Sequence, residues 1–87
     1  MARLFGAKNK DKHVVDIVYL ENDSSWLKQM TYNGLSQILM ALTTHGAVYA
    51  YAQVPPNVWK GLKNSISKGE FFHDNIKDKY SYCRLTA

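Results

Sequence analysis

The side chains in this chain that could carry out bond chemistry are few and scattered. His13, His45 and His73 lie far apart in sequence and form no metal-ligand spacing. Convergence in space is the alternative, but His45 beside Gly46 reads more simply as a turn residue. Cys83 is the single cysteine, which excludes an internal disulfide and a cysteine-rich metal centre. A cysteine nucleophile needs an activating base or a positive field. No such context surrounds Cys83, so a buried, inert thiol is expected. Asp74 and Asp78 stand four apart, a spacing that puts two carboxylates on one helix face for acid–base work. Lys77 and Lys79 lie beside them, which favours a solvated charged surface instead. The chain holds no G-x-x-x-x-G-K, G-x-G-x-x-G or G-x-S-x-G pattern. The sequence points away from an enzyme, and no cofactor or metal is expected.

Binding is the other chemistry available. The chain of 87 residues carries 11 basic and 7 acidic side chains, a formal charge of +4. In residues 1–24 the two signs cancel, so the whole surplus lies later. Lys60, Lys63, Lys68, Lys77, Lys79 and Arg84 supply most of it, interleaved with Tyr80 and Tyr82. Proteins that hold single-stranded nucleic acid combine a cationic track with exposed rings on which bases stack. These eight residues are therefore the candidate polyanion-binding set, with Tyr49 and Tyr51 as further candidate rings. Lys68-Gly69 at a helix start is a candidate phosphate seat. The competing reading is a solvated basic face over an aromatic core. Trp59 and Phe72 are assigned to that core, because so small a domain needs large rings to bury.

The elements that must position these residues follow from pattern. Residues 1–13 read as a loose arm. VVDIVYL, residues 14–20, is β-branched and suits a strand. ENDSS, residues 21–25, reads as a turn or linker. WLKQMTY, SQILMALTT and AVYAYAQV, residues 26–32, 36–44 and 47–54, form an expected antiparallel meander. Asn33-Gly34 and His45-Gly46 are its turns. Pro55-Pro56 stops the third strand and opens a helix over NVWKGLKNS, which Gly61 weakens. A second helix is expected over residues 67–79, with Ser67 and Glu70 as a capping box. YSYCRL, residues 80–85, fits a short extended piece docked on the domain. The fold class is α+β: a three-stranded antiparallel meander, two helices on one sheet face, and an N-terminal extension adding a strand. Residues 1–24 form the extension and residues 25–87 the domain.

The meander has one difficulty. Ile38, Met40 and Leu42 alternate with Leu39, Ala41 and Thr43, and Tyr49 and Tyr51 with Val48, Ala50 and Ala52. Neither strand shows the polar side of a sheet that faces water. The lead segment is the favoured cover, either crossing the back of the sheet or joining its edge; a second copy of the chain comes next. Which residues share a face depends on the turn at His45-Gly46, and a one-residue slip inverts the result.

From Ser25 to Leu85 the chain resembles a KTSC domain, a small module found at the C-terminus of some lysyl-tRNA synthetases and free-standing in bacteria and phages. The resemblance rests on Tyr49-Ala50-Tyr51, Val54-Pro55-Pro56, Ser67-Lys68-Gly69, the run Ile76 to Tyr80, and Arg84-Leu85. It implies a small α+β fold and an RNA-binding role. The chain departs from the pattern in its first 24 residues and in apolar Ile38, Met40 and Leu42, where alternating charges are expected.

The reading that results is a non-enzymatic binding module for RNA or another polyanion, acting through the basic helical and C-terminal face. The lone thiol fits a reducing, cytoplasmic setting, and no run is long and apolar enough for a membrane span. The alternative is a protein-interaction factor, such as a phage-encoded regulator or inhibitor of a host protein, using the apolar sheet face or the extension. A homodimer built on the sheet back is the third.

Overall fold

The computed structural model describes residues 15–20 and 25–86. The arm at residues 1–13 and all but the last residue of the 21–25 turn lie outside them.

Among the described residues, five antiparallel strands form one sheet in the order in which the chain meets them. They are β1 (Val15–Tyr19), β2 (Leu27–Asn33), β3 (Ile38–Thr43), β4 (Val48–Tyr51) and β5 (Tyr82–Arg84). Helices α1 (Pro56–Asn64) and α2 (Lys68–Asn75) fall between β4 and β5. This is the α+β class expected, with the lead segment as the extra strand and the tail as β5. The lead segment does not cross the back of the sheet. It is the edge strand beside β2, with Val18 opposite Met30.

Both hairpin loops are longer than two residues. Asn33 pairs with Ile38 across a four-residue loop. Its side-chain Oδ1 accepts the amides of Leu35 and Ser36 at 2.9 and 3.1 Å. An asparagine that caps following amides starts a turn rather than sitting at its centre, so the hairpin expected at Asn33-Gly34 forms with β2 running on to Asn33 and the loop on to residue 37. At the next turn Thr43 and Ala47 exchange bonds across Thr44, His45 and Gly46, and Gly46 takes φ 89°. The resulting register sets Leu39 opposite Tyr51 and Ala41 opposite Tyr49. The tyrosines therefore share a face with Leu39 and Ala41, not with Met40 and Leu42.

That face is the one the helices cover. Leu27, Met30, Leu39, Leu62, Phe72 and Ile76 are fully buried between the layers. Tyr32 stacks on Trp59 at 5.3 Å, and Tyr51 meets Phe72 edge-on at the same separation. Gly61 lets the helices close. A Cβ there would sit 2.9 Å from the Phe71 ring.

The Val54-Pro55-Pro56 junction is clamped from two sides. The Val54 amide donates to the Gln37 carbonyl at 2.9 Å. The buried Tyr32 hydroxyl donates to the Val54 carbonyl at 2.6 Å. Pro55 then occupies the N-cap of α1 and Pro56 its first turn. α2 is shorter than expected. Ser67 is its N-cap residue, but its side chain makes no capping bond, so the capping box does not form. The helix ends where Ile76 and Lys77 both donate to the Phe72 carbonyl, and turns follow to residue 79.

Candidate nucleic-acid interface

At the β4–β5 end of the covered face the layers part and leave a cleft of about 230 Å³. Ala41 and Thr43 form part of its floor, and Trp26, Tyr49, Tyr51, Phe72 and Tyr82 its walls. Alternation in β4 puts Tyr49 and Tyr51 on the same side. Register places Tyr82 opposite Tyr51 and Arg84 opposite Tyr49. Trp26 reaches the cleft from just ahead of β2. Lys77 and Asp78 hang over it because the chain doubles back after α2, with the Lys79 amide bonded to the Ile76 carbonyl at 3.1 Å. β5 is pinned by the Ala52 amide on the Ser81 carbonyl and the Leu85 amide on the Val48 carbonyl.

The rings form a chain of contacts. Tyr82 lies 5.5 Å from Tyr51 and 5.9 Å from Tyr49, and Trp26 lies 5.7 Å from Phe72. Two cations sit on ring faces: the Lys77 amine 5.5 Å above Trp26 and the Arg84 guanidinium 5.7 Å above Tyr49. Exposure grades outward, from Tyr51 at 4 % to Tyr82 at 59 %. Burial pushes the Tyr51 phenol up to about 12, helped by Tyr82, Tyr49 and the Asp78 carboxylate nearby. The cleft thus offers stacking surface within and positive charge at the rim.

Of the eight residues assigned from sequence, Lys77, Tyr82 and Arg84 meet at this cleft. Tyr80 is half-buried and packs against the core. Lys79 is exposed on the turn before it. Lys68, at the start of α2, donates to the Ser65 carbonyl at 3.2 Å, and Gly69 behind it is buried. Lys60 and Lys63 are elsewhere, on α1. Lys63 is bound at 2.7 Å to Asp16, which also accepts the Trp59 indole at 3.1 Å. The Lys63 hydrogen bond, then the Trp59 one, hold the Asp16 carboxyl below its ordinary range. That pair fastens β1 to α1. Trp26 and Asp78 belong to the cleft although nothing local in the sequence marks them. The Tyr-x-Tyr alternation did mark Tyr49.

Bond-making chemistry finds little here. Among the described residues, no group of three or more His, Cys, Asp or Glu could hold a metal ion. Cys83 is exposed rather than buried, because it projects from the side of edge strand β5 opposite Tyr82. No helix is long and apolar enough to cross a membrane among the described residues.

Comparison with known proteins agrees with this architecture. A KTSC domain from Yersinia pestis superimposes with a TM-score of 0.71, covering 83 % of this chain and 99 % of that one at 23 % identity. A lysine–tRNA ligase of Trichormus variabilis is 35 % identical over 75 residues, which are 86 % of this chain but 13 % of the ligase. This chain thus spans about an eighth of that relative. An uncharacterized protein of Stutzerimonas stutzeri is 36 % identical over 63 residues, 71 % of this chain and 89 % of its own length. The KTSC domain family model matches residues 23–80, and with both relatives and fold in agreement this chain belongs to the KTSC domain family.

Proposed function

We infer that this protein is a non-enzymatic module that binds single-stranded RNA through the aromatic cleft between β4, β5 and the turn after α2. The observation that carries this reading is the convergence of Trp26, Tyr49, Tyr51 and Tyr82 with Lys77 and Arg84. A base entering the cleft stacks on Tyr82 and Tyr49, and the two cations turn from ring faces to the flanking phosphates. Stacking on an aromatic ring is sequence-tolerant and worth about 1–3 kcal/mol per base. The kinship with a segment of a lysine–tRNA ligase supports an RNA ligand. The lone reduced thiol supports a cytoplasmic setting.

The test is a salt titration of binding to a short unstructured RNA, read by anisotropy and by Trp26 fluorescence. Two phosphate contacts give a log–log slope of about −1.4, at about −0.7 per phosphate for single strands. Lys77→Glu and Arg84→Glu should each weaken binding. An RNA that fails to bind at low salt, or binds with no salt dependence, removes the reading.

A further inference from the structure

The opposite side of the sheet is left bare by every described residue. Val15, Ile17 and Tyr19 of β1 are 52 %, 45 % and 63 % exposed, and Met40 of β3 is 40 % exposed. Leu42, Val48 and Ala50 are half-buried around Met40, with Cys83 at the far edge. The two sides of the molecule differ sharply in charge. Every strand-paired position on the bare side is uncharged. Lys28 lies in the β2 bulge between Leu27 and Gln29, outside those pairs. The cations of the helices and tail, from Lys60 to Arg84, all belong to the other side.

We propose that this face is a self-association surface, on which two copies of the chain pack back to back about a two-fold axis as a pair of stacked sheets. Three observations select a second copy over another occupant. A chain of charge +4 repels itself, but back-to-back packing directs the cations of the helices and tail outward and brings together the uncharged strand positions of the two faces. A partner of either sign finds nothing on this face to select it. The size also fits. Strands of 5, 7, 6, 4 and 3 residues, at about 3.4 Å per residue and spaced about 4.8 Å apart, give roughly 410 Å² in projection. Two such rugged faces bury on the order of 1,000 Å², below the range of stable interfaces and within that of weak, transient ones. Aligned sheets pack in this way at about 30°. The expected product is a weak, concentration-dependent dimer that presents two aromatic clefts on its outer sides.

The test is sedimentation equilibrium of the full chain across the micromolar range. The wild type should pass from monomer to dimer. Met40→Glu, which sets two carboxylates face to face at the centre, should weaken the dimer by about tenfold or more. Lys60→Glu on the opposite side should leave it unchanged. Because Met40→Glu can also impair folding, alkylation of Cys83 in the wild type gives a second measure. Its rate should fall as the protein concentration rises through the dimerisation range. A monomer at all concentrations, a dimer indifferent to Met40→Glu, or Cys83 alkylated at one rate throughout overturns the proposal. So does a different protein species found occupying the face of the purified chain.

Discussion

The two sides of this one sheet are built from alternate residues of the same strands, yet they do opposite things. The covered side holds Met30, Leu39 and Phe72 out of water entirely, then opens at one end into rings and cations. The bare side carries apolar residues of similar size, such as Ile17 and Met40, that the fold leaves exposed. Hydrophobicity alone does not distinguish them. What differs is whether a helix lies above, and α1 is held there by the clamp that Tyr32 of β2 closes on Val54 and by the stacking of Tyr32 on Trp59. Exposed apolar residues in one contiguous patch mark a contact surface rather than a failed core.

Substitutions at the buried rings and at the cleft test this contrast. Phe72→Ala should cost about 3–5 kcal/mol in denaturant unfolding, because it opens a cavity where the two layers meet. An equal-sized loss from an outer-face deletion would erase the distinction between the sides. Tyr82→Ala should weaken RNA binding about 5- to 150-fold, from the loss of one stacking ring, while the melting temperature changes little. If both fall together, Tyr82 belongs to the core and not to the cleft. Tyr32→Phe leaves the buried Val54 carbonyl without its 2.6 Å donor and should cost about 1–3 kcal/mol.

Titration distinguishes the two edges of the covered side, Tyr51 near β5 and Asp16 on β1. The folded Tyr51 phenol ionises at about 12, above the ordinary 10.0, so the fold favours its protonated form. Its contribution is complete below pH 10 and is lost as pH rises towards 12. Tyr51→Phe should remove that alkaline loss, read by unfolding midpoints across the same range. Asp16 runs in the opposite sense. Its folded value is depressed, so its contribution is present above the ordinary 3.8 and fades as pH falls below it. Both partners are 41 % exposed, and solvent screening holds Asp16→Asn to under about 1 kcal/mol. A larger loss, measured by hydrogen exchange in β1, would make this clamp a main support of the edge strand.

Much of the architecture could be read from local pattern. The strand-rich centre, the proline-opened helix and the docking of Trp59 and Phe72 follow from alternation, proline chemistry and ring size. The loops were harder. Asn33-Gly34 has the signature of a two-residue turn, but the Asn33 side chain satisfies the next two free amides and so lengthens the loop. Ser67 and Glu70 have capping-box spacing, yet no side-chain bond forms. The site was half legible. Lys77, Tyr82 and Arg84 could be chosen by type and proximity, but Lys63 could not be removed from the set, because its acidic partner is 47 residues away.

By itself the sequence determined the layers: which segments extend, which coil, and that rings must fill the space between them. These are short-range matters, decided by backbone dihedral preference and by side-chain period. The tertiary structure alone decided the sides. Register at His45-Gly46 sent Tyr49 and Tyr51 under the helices and Met40 into solvent. Chain reversal after α2 brought Lys77 and Asp78 over Trp26. Both outcomes depend on where distant strands pair and where a helix ends, which are set by contacts summed over the whole core and not by any one stretch of residues.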